Sequence, residues 1–207
     1  MNLTFRPYKQ DDLSRCTELS VSAWPIVTRL TKKDDVSLFM RAFVTLSLTL
    51  SDYTEVCCDG KQVIGLLFGA TGNIPLSPEK KRERRTVLWA FIRGRYGRMK
   101  HHFRFLVGVV LSMVKFEFLC SRFDSEVKLL IVDKAYRGQG IGRTLMDHFV
   151  DHAKQNNRKT IYLGTNVESS WGFYESYGFK KYRDFHDNGL SVMRGRRTTS
   201  FIYYYNL

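Results

Sequence analysis

EVKLLIVDKAYRGQGIGR, residues 126–143, divides into three parts. The first seven residues, rich in Leu, Ile and Val, read as a β-strand. A loop follows over 134–140, and from Ile141 to residue 155 the apolar residues Ile141, Leu145, Phe149 and Ala153 recur on one helical face. Between strand and helix, Gly138, Gly140 and Gly142 let the backbone approach a ligand closely. The helix behind them directs its unpaired N–H groups and the positive end of its dipole at the same place. That arrangement suits a pyrophosphate. The glycines are spaced GxGxG, not GxGxxG as in a dinucleotide-binding turn, and on these residues alone a structural turn stays open.

Upstream, residues 3–8 read as a strand, and Asp11 or Asp12 is placed to cap a helix carrying Leu13, Cys16, Leu19 and Ala23, which Pro25 ends. A second helix is predicted over 34–50, with Val36, Phe39, Met40, Phe43 and Leu46 on one stripe. Strands over 53–58 and 62–70 flank Asp59-Gly60, a hairpin signal. Downstream come a short strand at 160–164, a short helix at 169–177, a strand at 180–185 and an aromatic-rich strand at 200–206. The pattern predicts one α/β domain over 1–207.

Residues 73–124 interrupt that pattern. They hold 12 Lys plus Arg against 4 Asp plus Glu, a net +8 of the chain's +13. Ser77 and Pro78 read as the N-cap and first position of a helix that weakens near Gly94 and Gly97. A second helix, 101–119, carries FLVGVVLSMV at 105–114 and is apolar on all sides, so it must be buried in a core or against a partner. The segment is expected to be a helical hairpin packed on the domain, with a homodimer interface or a lid as the sharper alternatives. Its charge favours an anionic partner without choosing among nucleotide, nucleic acid and membrane. The run Lys80, Lys81, Arg82, Arg84 and Arg85 lacks the aromatic interleaving of a single-strand site and reads as a solvated face, so no specific nucleic-acid partner is expected.

The apolar run at 105–114 is half the roughly 20 residues that a membrane-spanning helix needs, and the first twelve residues lack the apolar run of a signal peptide. Cys16, Cys57, Cys58 and Cys120 show no metal-ligand spacing and read as reduced, partly buried thiols; Cys57 and Cys58, adjacent on a strand, should face opposite ways. His148 and His152, four apart beside Asp147 and Asp151, read as a polar helix face and not as a metal pair. A soluble, cytoplasmic protein without a metal is expected.

The pattern Arg137-x-x-Gly140-x-Gly142, with LLIV before it and Leu145-Met146 after it, resembles motif A of the GNAT superfamily of acetyl-CoA-dependent N-acetyltransferases. Some 30 residues on, Phe173-Tyr174-Glu175-Ser176-Tyr177-Gly178-Phe179 is similar to that family's FYExxGF signature, in the family's order and spacing. The opening FRPYKQDDL resembles its first strand and helix start. The likeness is loose over 1–72 and close over 125–190, and 73–124 has no counterpart in the minimal fold. It implies a mixed, mostly antiparallel sheet flanked by helices, and acetyl transfer from acetyl-CoA to a primary amine by direct attack in a ternary complex.

The resemblance also assigns roles. The backbone of Arg137, Gly138, Gln139, Gly140, Ile141 and Gly142, with charge from Arg143, would hold the coenzyme pyrophosphate. Leu130, Ile131 and Val132 would bind the pantetheine arm through main-chain groups, in a gap between two splayed strands, with Asn166 as a further contact. Tyr174 matches the tyrosine that protonates the departing thiolate, a task suited to a phenol whose ordinary pKa is about 10. Glu126, eleven residues before Arg137, stands where some relatives place a general base; the alternative is a charge at a strand start. The acceptor is a small-molecule or peptide amine. Two other functions stay open: a coenzyme A-binding regulator without catalysis, and a membrane- or nucleic-acid-binding module acting through the basic insertion.

Overall fold

Strand β1 (Leu3–Pro7) lies antiparallel to β2 (Tyr53–Asp59), which turns into β3 (Gln62–Ala70) across Gly60. The φ of +59° at Gly60 is the left-handed conformation that the Asp59-Gly60 pair predicts. β4 (Glu126–Val132) continues antiparallel on β3, and β5 (Thr160–Asn166) runs parallel to β4. β7 (Thr199–Asn206) then inserts between β5 and β6 (Lys180–His186), antiparallel to both. The sheet order is β1-β2-β3-β4-β5-β7-β6, so β4–β5 is the one parallel junction. This mixed, mostly antiparallel sheet is the one expected. The computed structural model describes residues 1–24, 33–72, 77–95, 102–167, 169 and 171–207; Pro25 and Gly97, expected as helix breaks, lie outside them.

The described helices are α1 (Leu13–Ala23), α2 (Lys33–Thr49), α3 (Pro78–Ile92), α4 (His102–Cys120), α5 (Ile141–Gln155), α6 (Trp171–Tyr177) and α7 (Asn188–Arg194). α5 buries Ile141, Leu145, Met146 and Phe149 against Ile64, Leu67, Ile161, Leu163 and Tyr203 on one sheet face. It sits so close that a Cβ at Gly69 would lie 2.3 Å from the Phe149 ring. α1 and α2 cover the other face, where Leu13, Leu19 and Val44 meet Val56, Leu66 and Phe68. Cys57 belongs to the α5 layer and Cys58 to the α1 layer, as adjacent strand residues must.

α3 and α4 complete the second layer. Phe116, Leu119 and Cys120 of α4 pack on Tyr162, Tyr182, Phe185 and Ile202, covering β5 to β7 on the face opposite α5. Ser77 caps α3 by accepting from the Lys80 N–H at 3.2 Å, with Pro78 at the first position as expected. α2, α3, α4 and α7 converge at Phe39, Met40, Phe91, Phe105 and Val192. The expectation that α4 is buried on all sides holds for one side only. Val110, Val114 and Phe118 face outward and are exposed.

Two local expectations need correction. Asp12 does not cap α1 through its side chain. Its carboxylate turns back to accept from the Lys9 N–H at 2.8 Å and from the Arg6 guanidinium at 2.8 Å, and the Arg6 hydrogen bond holds its pKa below the usual carboxylate range. α7 has no counterpart in the sequence reading. Asp187-Asn188-Gly189 resembles a turn, but Asp187 accepts from the Leu190 N–H at 2.9 Å and starts a helix instead. Ser112 of α4 braces that start, accepting from the N–H groups of Asn188 at 2.8 Å and Gly189 at 3.2 Å.

Candidate active site

β4 and β5 pair at a single position, Glu126 with Tyr162, and then separate. The divergence begins beside a β-bulge: β3 residues Phe68 and Gly69 pair with Leu129 and Val127, leaving Lys128 as an extra residue in β4. A bulge bends its strand and increases the local twist. Past the bulge, the β4 edge facing β5 is not matched by strand pairing, so its N–H and C=O groups are available to an extended ligand, as at any sheet edge. The gap opens into a cleft of about 700 Å³.

One end of the cleft is the glycine loop. Gly138 and Gly140 adopt φ values of +79° and +81°, a conformation that costs a residue with a Cβ roughly 1–2 kcal/mol. Gly140 is the N-cap of α5, and the first i→i−4 bond behind it runs from the Thr144 N–H to its carbonyl at 3.0 Å. The N–H groups of residues 141–143 therefore have no intrahelical acceptor. Arg137 is exposed and donates from Nε to the Val132 carbonyl at 3.3 Å. Arg143 lies over the Tyr177 ring at 5.2 Å and contacts the Ser176 carbonyl at 3.4 Å, which holds it at the rim. Backbone donors, a helix N-terminus and two guanidinium groups thus converge, a donor set that fits a pyrophosphate.

Tyr174, on α6, lines the cleft. Phe173 and Phe179 flank it edge-on at 5.3 and 5.8 Å between ring centroids. Burial pushes its pKa up to about 12, so the phenol is protonated at neutral pH. Leu130, Ile131, Val132, Arg137, Gly138, Gly140, Ile141, Gly142 and Arg143 line the same cleft. Three candidates stand apart from that lining. Gln139 is exposed at the loop tip, and Asn166 pairs with Ser200 at the end of β5, where Thr165 and Ser169 form the wall. Glu126 sits at the closed end of the gap, where Oε2 accepts from the Tyr162 hydroxyl at 2.9 Å and from the Lys128 ammonium. Burial, with Glu126 next to it, keeps the Tyr162 hydroxyl protonated well above the ordinary phenol value.

The far end of the cleft is built from residues that motif reading did not reach. Ala23 and Trp24 at the end of α1, Phe43 of α2 and Lys128 line it, with Trp24 and Phe43 edge-to-face at 5.6 Å. Trp24 and Phe43 lie about 100 residues from the glycine loop and carry no local signal; Lys128 enters because it is the bulged residue. Phe116 of α4 packs on β5 beside the cleft, its ring 2.9 Å from where a Cβ on Gly164 would stand. Trp171, the first residue of α6, is 39% exposed.

The sequence profile described as an acetyltransferase (GNAT) domain matches residues 102–181, a range that holds α4, the splayed strands, the glycine loop and Tyr174. Residues 102–181 are thus similar to a GNAT acetyltransferase domain. The domain's match begins in α4, so the second half of the segment read as an insertion lies within it. An uncharacterized protein of Mycobacterium leprae (strain TN) is 39% identical over 61 residues, 28% of this chain and 16% of that protein; the match thus spans well under two-thirds of that relative. Among solved structures, the fold is similar to that of SsHAT, with a TM-score of 0.70 at 17% identity over 100% of this chain and 98% of the other. It is also similar to Drosophila melanogaster polyamine N-acetyltransferase, described as catalysing the formation of N-acetylagmatine, with a TM-score of 0.60 at 13% identity over 100% of both chains. At these identities the likeness concerns the fold. The family that the profile describes is one of acetyltransferases, and among the described residues no helix is long and apolar enough to cross a membrane.

Proposed function

We propose that the protein transfers the acetyl group of acetyl-CoA directly to a primary amine, in a ternary complex within the cleft between β4 and β5. The observation that carries this reading is the cleft itself: a splayed parallel strand pair joins a left-handed glycine loop to a half-buried, protonated tyrosine. Acetyl-CoA supplies a thioester activated toward attack by an amine. Residues 137–143 hold the pyrophosphate through backbone N–H groups and the Arg137 and Arg143 charges. The main chain of Leu130, Ile131 and Val132 takes the pantetheine arm as an added strand, and its free N–H groups face the position where an oxyanion develops. Tyr174 donates its proton to the departing thiolate. Direct transfer accords with the state of the cysteines: all four are buried, and burial pushes Cys57 up to about 11 and Cys16 and Cys120 up to about 12.

Trp24 and Phe43 with Lys128 at the far end favour an acceptor whose amine is carried on an apolar or aromatic body. The test is calorimetric titration with acetyl-CoA, followed by thiol release over a panel of arylalkylamines, polyamines and peptide N-termini. Saturable binding and turnover on a subset are expected. Absence of binding at millimolar coenzyme overturns the reading.

For Glu126, engagement of Oε2 by both Tyr162 and Lys128 favours a strand clamp over a base. Glu126→Gln is expected to lower the melting temperature while kcat stays within about tenfold of wild type, whereas loss of a general base costs about 10²–10⁴. A fall in that range with unchanged stability makes Glu126 the base.

A further inference from the structure

The outward side of α4 is an unusual surface. Val107, Val110, Leu111, Val114 and Phe118 stand at i, i+3, i+4, i+7 and i+11, and are between 42% and 78% exposed. At a rise of 1.5 Å per residue they form a stripe about 16 Å long. The helix cannot turn this stripe inward, because the opposite side is already committed: Phe105 packs with Phe39 and Phe91, and Phe116 with Tyr162 and Phe185. Isolated apolar side chains on a surface need no explanation, but a continuous stripe does.

The charges beside the stripe narrow its occupant. By helical spacing Arg104 and Lys115 border it along the edge shared by Leu111 and Phe118, and Glu117, the only acidic residue of α4, borders the opposite edge beside Val110 and Val114. Along the Arg104 edge a groove of about 630 Å³ runs between α4 and α7, lined by Val107, Leu111 and Val192 together with Arg104, Arg196 and Arg197. Gly108 brings the two helices together, since a Cβ there would lie 2.9 Å from the Asn188 carbonyl oxygen. An apolar stripe rimmed by arginines on a chain of net charge +13 disfavours a second copy of itself, which would bring thirteen more positive charges to the same face. A neutral apolar partner would cover the stripe and leave the arginines without counter-ions.

We infer that this face docks onto an anionic phospholipid surface, with the α4 stripe seated at the headgroup–acyl boundary and lipid phosphates received by Arg104, Arg196 and Arg197. Both halves of the surface are then satisfied at once, as in interfacial amphipathic helices that lie in the plane of a bilayer. The inference rests on this surface alone and stands apart from the proposed acetyl transfer.

The test is co-sedimentation of the full chain with vesicles of phosphatidylcholine alone or with roughly one-third phosphatidylserine. Binding is expected to the anionic vesicles only, and to weaken as salt screens the arginines. Val110→Glu with Val114→Glu is expected to reduce bound protein at least about tenfold without moving the melting temperature, since both side chains face water. Arg196→Gln with Arg197→Gln tests the phosphate half independently and should produce a similar loss. Failure to bind anionic vesicles at low salt overturns the inference, as does unchanged binding by the Val110→Glu/Val114→Glu variant. A dimer in sedimentation equilibrium that the same substitutions dissolve also overturns it, because the stripe is then a contact between copies.

Discussion

Tyr174→Phe is expected to lower kcat by about 10²–10⁴ while the dissociation constant for acetyl-CoA stays within about twofold of wild type. The hydroxyl is the only group removed, and Phe173 and Phe179 continue to pack the ring. Coenzyme binding rests on the glycine loop and the β4 edge, which the substitution does not touch. The pH dependence follows from the same residue. A general acid acts in its protonated form and is lost as pH rises through its pKa, here pushed up to about 12 by burial. The wild-type rate should therefore rise as the acceptor amine deprotonates and then hold level to at least about pH 10, since an ordinary phenol begins to ionise near its reference value of about 10. Pre-steady-state rates across that range check both statements. A variant with full kcat, or a wild-type rate that falls between pH 8 and 9, places the acid elsewhere.

The second large effect is expected at Gly140. Its φ of +81° is disfavoured for any side chain and most for a β-branched one, yet a Cβ there would meet nothing within 4 Å. Gly140→Val thus introduces backbone strain without a clash. That strain is on the order of 1–3 kcal/mol, which corresponds to a loss in acetyl-CoA affinity of roughly 5- to 150-fold if it is expressed in the loop. Gly140→Ala should lose less. Titration calorimetry on both variants, with melting curves to separate loop strain from global destabilisation, provides the check; unchanged affinity in Gly140→Val means that the loop does not carry the pyrophosphate.

What could be read from the sequence was local. The strand, glycine turn and helix at 126–155 are contiguous, so their roles show in one stretch, and Tyr174 lies in a second compact motif. Register was not legible. EVKLLIV looks like a regular strand, but Val127 joins the α5 layer and Leu129 the α1 layer, whereas strict alternation would put them on one face. The difference is the extra residue Lys128, and with it came the bend beside the cleft and a cation at its far end. Phe43 reads only as a helix residue and Trp24 carries no signal at all, because nothing in their neighbours records that the end of α1 and the middle of α2 meet the cleft. α4 was read as apolar all round, which is correct as composition; which side is covered depended on a sheet edge formed by residues 160–206.

The contact between Phe116 and Gly164 gives α4 two surfaces with different addressees. Its inner side touches the strand that bounds the cleft, and its outer side faces solvent. A helix with its side chains is about 10 Å thick. Whatever rests on the outer stripe thus lies one helix away from a strand that lines the cleft, and the lack of a side chain at residue 164 sets how closely the helix sits on that strand. A larger side chain there would push the helix outward.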